Sequence, residues 1–403
     1  MSKELSMAAR REITKKYARE YANAGRAEKS AMLDALVSAT GWTRDHARRA
    51  IRHAAARKGA ASKQQRTPRP RKYSYDALVV LQEVWRLAGQ PSGKYLVAVM
   101  DDTLERLVRF NELGKVTSRV TPAVLDELCA MSAATIDRYL KPHKDAQYPV
   151  ALGTTKPSHI LRSSIAVRTA MDALPEGGGF YELDTVAHCG HTTKGEYLHT
   201  LTMTDPRHGW TMLSGIKNKA HKHVSAALEQ MRRNAPVPVS AMDFDNGSEF
   251  MNWAVVAWAD KHQIKLTRGR PYQHNDNAHV EQRNGDWVRK HAFRYRYETD
   301  HELRLLNELW RLVEQRKNHL LPCVKVVGTK TSRSGRKVAI YDKPETPYSR
   351  LIRSGLLDEK MRARLEATHD KLNPAKITRR INQIQRQLIE LAAARTQSTR
   401  PAA

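Results

Sequence analysis

From Phe180 onward the hydrophobic period of the chain changes from helical spacing to alternation, and this constrains the fold more than any other feature. FYELDTVAHC (180–189), EYLHTLTMTD (196–205) and WTMLSGIKN (210–218) read as three strands, the last two joined through the turn PRHG. HVSAALEQMRRN then reads as a helix, PVSAMDFD as a strand, EFMNWAVVAWADKHQ as a helix, IKLTRG as a strand, and a long helix starts near Asn277. The order β-β-β-α-β-α-β-α predicts an α/β domain over 178–300, a mixed five-stranded sheet flanked by helices.

Upstream, the spacing is helical throughout, so the chain is multidomain with an all-α N-terminal region. A helix is expected over Ala27 to Ala39, with a break at Gly41 and Thr43 as N-cap of a second helix, the outline of a helix-turn-helix over 1–57. On that second helix Ala47, Ala50, Ile51 and Ala54 share one arc, and Arg44, Arg48, Arg49 and Arg52 occupy the next. Such a helix suits packing on one side and DNA on the other; a solvated charged face has the same pattern. Residues 58–74 form a basic linker whose Arg69, Arg71 and Lys72 would follow phosphates. A second helical, helix-turn-helix-like unit spans 75–140, with Pro122 at a helix start and Pro142 stopping its last helix. Proline-rich residues 141–177 read as a linker. The basic region 301–403 contains a possible hairpin turning at Ser334-Gly335 and a terminal helix around Ile377 to Ala394, for target-DNA contact or oligomerisation.

With 69 Lys and Arg against 42 acids, and a net charge of +27, nucleic acid is the expected partner. No apolar run approaches the roughly 20 residues of a spanning helix, so no membrane partner is expected. Cys129, Cys189 and Cys323 are odd in number and far apart, which suits a reducing cytoplasm rather than a disulfide framework. His188, Cys189, His191 and His199 lie on one hairpin without a second cysteine, and zinc is not expected there.

Against this positive charge, carboxylates gather at the strands. Glu182 and Asp184 share one face of the first strand, and Asp243 and Asp245 one face of the fourth, where Asn246-Gly247 ends the run. On the long helix Ala278, Glu281, Gly285 and Val288 form a stripe whose small members would let Glu281 approach the sheet. Carboxylates brought together from three elements repel one another and need cations, and Mg²⁺ prefers oxygen ligands.

Asp184 in ELDTV, Asp245 in DNGSEF and Glu281 in NDNAHVEQ, with 35 residues between the last two, resemble the catalytic core shared by bacterial insertion-sequence DDE transposases and retroviral integrases. The resemblance covers about 178–300 and includes the DNG turn and GRPYQHNDNAHVE. It implies an RNase H-like fold in which Asp184, Asp245 and Glu281 are catalytic and hold two Mg²⁺ ions, with Mn²⁺ able to substitute. Asp245 is preferred to Asp243 because the family places this ligand immediately before Asn-Gly. Glu182 then becomes a strand residue at the rim, Asp276 a helix cap and Glu249 a favourable charge at its own helix start. Arg268, Arg270, Tyr272, His274 and Asn277 form a basic loop able to grip DNA near the cut, or a solvated loop.

The resemblance further implies a transposase that binds the inverted repeats of its element, cleaves double-stranded DNA and joins it to a target. It would work as a homo-oligomer, at least a dimer on paired ends, in the bacterial cytoplasm at the nucleoid; any helper protein is unspecified. Two alternatives remain open at this level: a catalytically silent DNA-binding regulator derived from a transposase, and an RNase H-like nuclease without joining.

Overall fold

Short capped helices open the chain. In the computed structural model, residues 5–56, 72–147, 178–244, 253–268, 278–332, 335 and 337–398 are described. The chain divides into two units, residues 1–71 and 72–403.

The described residues of the first unit form three helices, α1 (Met7–Tyr21), α2 (Arg26–Thr40) and α3 (Arg44–Ala56). Gly41 adopts φ +69°, which lets it close α2 in the left-handed conformation. Thr43 Oγ1 accepts from His46 N at 3.3 Å and opens α3. Ala18, Leu33, Leu36, Ala47 and Ile51 form the core, while Arg44, Arg48, Arg49 and Arg52 are exposed. Arg44 also donates to Ser30 and pairs with Asp34, and Arg49 lies 3.5 Å from Asp45.

The second unit begins with α4 (Tyr75–Leu87), α5 (Gly93–Ala98), α6 (Met100–Arg109), α7 (Pro122–Cys129) and α8 (Ala133–Gln147) around a core that includes Leu81, Val84, Leu107, Leu128 and Ile136. Pro122 starts α7 as expected. Pro142 does not stop α8, which runs on to Gln147. Proline removes one backbone hydrogen bond here, and the Lys144–Asp137 ion pair at 2.8 Å spans the same stretch.

The sheet contains β1 (Phe180–Ala187), β2 (His199–Thr204), β3 (Thr211–Ile216), β4 (Ala241–Phe244) and β5 (Lys265–Arg268) in the order β3-β2-β1-β4-β5. β1–β2 and β2–β3 are antiparallel, and β1–β4 and β4–β5 parallel. This is the expected mixed five-stranded sheet. Gly179, at φ +80°, leads into β1 where an added Cβ would lie 2.3 Å from the Pro238 carbonyl oxygen, so only glycine allows that approach. Helices α9 (His221–Asn234) and α10 (Trp253–Lys261) accompany the apolar face, where Tyr181, Leu183, Met242 and Phe244 join Val224, Leu228 and Val255.

Helix α11 (Ala278–Arg283) continues through a wider π turn, Asn284–Arg289, to Ala292. Helix α12 (Asp300–Glu314), likewise extended by a π turn, Gln315–Leu320, runs beside β3. Along this outer edge Asn318 Oδ1 accepts from Thr211 N at 3.0 Å, Glu314 Oε1 from Leu213 N at 2.5 Å, and Asn307 Oδ1 from Gly215 N at 2.8 Å. Alternate amides on the edge strand thus find side-chain acceptors.

Beyond it lie the hairpin β6 (Val326–Thr331) and β7 (Lys337–Tyr341), then α13 (Pro347–Arg353), α14 (Glu359–Asp370) and α15 (Pro374–Ser398). The hairpin includes Gly335 at φ +77°; Ser334 lies outside the described residues. Helix α15 is longer than the periodicity predicts. Ala375 joins the core of α4–α8, and Ile377, Ile381, Ile384 and Leu388 pack with Trp287, Leu306 and Trp310. The Thr378 hydroxyl donates to the Leu87 carbonyl at 2.9 Å, and Arg380 forks onto Glu308 at 2.6 and 2.8 Å. Among the described residues, no helix is long and apolar enough to cross a membrane.

Candidate active site

Opposite the first apolar core, the second face of the sheet buries Val186 and Leu213 against a second apolar cluster and, beside them, a set of polar side chains. Thr200, Thr202, Thr204 and Thr211 are fully buried there, and Glu182 is 4% exposed. The register places Glu182 beside Thr204 on β2 and Asp243 on β4, and Asp184 beside Thr202. Alternation therefore brings Glu182, Asp184 and Asp243 to one side.

Each carboxylate has a fixed partner. Asp184 Oδ2 accepts from Asn284 Nδ2 at 2.6 Å, and Asn284 Oδ1 accepts from the Thr202 hydroxyl at 2.7 Å. Asp184 Oδ1 accepts from Thr185 N at 2.7 Å. Asp243 Oδ1 accepts from the Thr267 hydroxyl at 2.6 Å. Glu182 Oε2 accepts from Val280 N at 3.0 Å, in the first turn of α11. Donors at a helix start favour a carboxylate through hydrogen bonding and the helix dipole together.

Two expectations are corrected by this geometry. Glu182 is not at the rim: it is buried and holds the start of α11 against β1. The stripe Ala278–Glu281–Gly285–Val288 is broken at Gly285, which is exposed, while Val280, Asn284, Trp287 and Val288 are buried; the side chains of Ala278 and Glu281 lie outside the described residues. The π turn supplies the reason: its extra residue per turn rotates the side chains beyond Arg283 away from ordinary helical spacing.

Asn284 is the site residue that sequence reasoning passes over. It is 2% exposed and links β1, β2 and the π turn. A polar amide three residues after Glu281, among apolar positions, is the signal that could have found it.

Of the expected triad, Asp184 lies on β1 within this network, and Glu281 belongs to α11, one turn before Asn284. Asp245 lies outside the described residues, as do Asn246, Gly247, Glu249, Arg270, Tyr272, His274, Asp276 and Asn277. Arg69 and Arg71 lie outside them too; Lys72 sits over the Tyr73 ring at 5.2 Å, and Arg268 ends β5. His188 Nε2 shares a 2.8 Å hydrogen bond with Thr200, and burial pushes its pKa down to about 3. His199 Nδ1 donates to the Tyr197 carbonyl at 3.1 Å, and Cys189 pairs in a bridge with Arg296.

Residues 176–274 match the family described as the integrase core domain. Over 350 residues the chain is 32% identical to the uncharacterized protein y4rM of Sinorhizobium fredii (strain NBRC 101917 / NGR234), covering 87% of this chain and 97% of that one. The chain belongs to this family, within the transposase and retroviral integrase superfamily, and its sheet has the RNase H-like arrangement. Among solved structures, the catalytic core domain of BIV integrase aligns at 15% identity over 44% of this chain and 95% of its own, with a TM-score of 0.30. A chain of the simian T-cell lymphotropic virus intasome in complex with a PP2A regulatory subunit aligns at 16% identity over 36% of this chain and 49% of its own, with a TM-score of 0.28. The integrase core domain over residues 176–274 supports a transposase- or integrase-type function on DNA.

Proposed function

We propose that the protein is a DNA transposase that binds the inverted repeats of its element, cleaves at their ends and transfers the strands to target DNA. The observation that carries this reading is the 2.6 Å hydrogen bond joining Asp184 to Asn284, which ties the first acidic strand to the helix that bears Glu281. The β1–β4 register supports Asp245 as the second member, since Leu183 pairs with Phe244, the residues before Asp184 and Asp245.

The donor set fits a hard divalent cation. Asp184, Asp245 and Glu281 offer only carboxylate oxygens, and a carboxylate oxygen that accepts one hydrogen bond keeps a further lone pair. These three residues would hold Mg²⁺ or Mn²⁺, two ions in all, which when bound would make an attacking oxygen more nucleophilic and stabilise the leaving one. Asn284 fixes the Asp184 carboxylate, and Thr202 fixes Asn284 in turn. Glu182 anchors the start of α11, so that Glu281 is carried on a helix tied to the sheet at both Val280 and Asn284. Attack by water would cleave the donor strand, and attack by a DNA 3′ hydroxyl would join it to target.

Recognition of the ends falls to α1–α3, whose arginines on α3 are exposed, together with α4–α8. A dimer or larger assembly would hold the paired ends. The test is cleavage and joining of a plasmid that carries the element's ends. Asp184→Asn and Glu281→Gln are expected to bind the ends like the wild type and to lose Mg²⁺-dependent cleavage. Cleavage retained in both variants would overturn the assignment.

A further inference from the structure

A cavity of about 490 Å³ lies between the α4–α5 connection, the π turn after α11 and the end of α12. Among the described residues its lining includes Arg283, Lys290, Arg316 and Lys317, four cationic side chains against one carboxylate, that of Asp286. Lys317 is ion-paired with Asp286, and Lys290 lies 3.7 Å from the same carboxylate. Arg316 is different. It is 8% exposed, its Nη2 donates to His291 Nε2 at 2.6 Å, and its Nε has no hydrogen-bond partner. His291 can accept because its Nδ1–H donates to the Trp287 carbonyl at 2.7 Å.

Arg316 thus carries a buried charge that makes no direct ion pair among the described residues and is opposed only at a distance by the Asp286 carboxylate. Burial brings its pKa down only to about 10, so it stays cationic at neutral pH. A second observation points the same way: Trp287, which also lines the cavity, has a buried indole Nε1–H without a partner. Unsatisfied buried donors are costly, and the two beside this cavity add to the positive character of its lining. Gly89, at φ +84°, keeps room for the guanidinium, since a Cβ there would lie 2.7 Å from Arg316 Nη1.

We propose that this cavity is a phosphate-binding site in which Arg316 is the buried anchor and Lys290 and Arg283 supply further contacts. A phosphate group is small enough to enter, presents acceptors only, and matches the planar donor array of a guanidinium. The phosphate could be a backbone group of bound DNA or a free phosphate. The site does not depend on the acidic strands being catalytic, so its failure and the failure of the transposase reading are separable.

The experiment is calorimetric titration of the full chain with sodium phosphate at constant ionic strength, with chloride as control, repeated on protein saturated with duplex DNA. Phosphate-specific binding is expected, and Arg316→Gln and Lys290→Gln are each expected to weaken it by about tenfold, the scale of a charge-assisted hydrogen bond. Lys290 is 71% exposed, so its variant keeps the test decisive should Arg316→Gln fail to fold. Loss of the phosphate signal on DNA-bound protein would assign the site to a backbone phosphate; an unchanged signal would assign it to a free one. Equal response to phosphate and chloride, or an undiminished phosphate response in Lys290→Gln, would overturn the proposal.

Discussion

The Asn284 side-chain amide donates to the Asp184 carboxylate across 2.6 Å, so that a widened turn of helix α11 is locked onto the central strand of the sheet. Through its oxygen the same amide accepts from Thr202 on β2. One residue therefore orients an acidic group and registers a helix at once.

If the protein is the transposase proposed above, replacing Asn284 with Ala should lower Mg²⁺-dependent cleavage by about tenfold or more, with DNA affinity kept within twofold or so, because the hydrogen bond that positions Asp184 disappears while the exposed arginines of α3 are untouched. Stability should fall by about 1–3 kcal/mol, since the Thr202 hydroxyl loses its acceptor inside the fold. Urea denaturation and single-turnover cleavage measure the two effects separately. Unchanged cleavage in a folded variant would argue against the positioning role.

Glu314 makes stability depend on pH. Burial raises its pKa from 4.5 to about 8, opposed by the hydrogen bond from Leu213 N. The folded state then retains a proton that the unfolded chain has lost, so this contribution is fully present below about pH 4.5 and disappears as pH rises through about 8. The loss is at most about 1.4 kcal/mol per pH unit across that interval. Glu314→Gln should flatten the profile, as denaturation between pH 5 and pH 9 (roughly the titration window) would show; identical slopes in the two proteins would contradict it.

Helix α15 binds two regions of the second unit. Ile384→Ala removes a fully buried side chain from the interface with α12 and should cost about 2–5 kcal/mol. If the helix is integral to the unit, fluorescence and far-ultraviolet circular dichroism should report a single shifted transition. A separate early transition confined to α15 would count against this.

The exposed arginines of α3 allow a test of end recognition. Changing Arg48, Arg49 and Arg52 together to Gln should weaken binding and reduce the slope of log K against log salt by roughly 0.9 for each phosphate that is no longer neutralised. For a wild type neutralising about eight phosphates, the starting slope would be near −7. Gel-shift titrations across a salt series give both quantities, and an unaltered slope would assign those arginines to solvent.

The strands are legible in the sequence because one face is apolar and the other is not: Tyr181, Leu183, Met242 and Phe244 alternate with Glu182, Asp184 and Asp243, and the sheet follows that pattern. The position of Asp184 on the polar side is equally readable. The role of Glu182 is not, because its partner is a backbone amide 98 residues away, and a backbone donor leaves no trace in composition. The buried face of α11 departs from the expected stripe at Gly285 because a π turn shifts the helical period without a sequence signature of its own. Helix α15 is visible as amphipathic, but periodicity cannot say what an apolar stripe covers. Its partners turn out to lie in the same chain.

The side chains along β3 carry a consequence for assembly. With Thr211, Leu213 and Gly215 already donating to Asn318, Glu314 and Asn307, that border offers no free row of amides on which a neighbouring protomer could lay a strand. Several copies gathered on DNA would have to join through side-chain surfaces or through other borders. A continuous intermolecular sheet extending from β3 is closed to them.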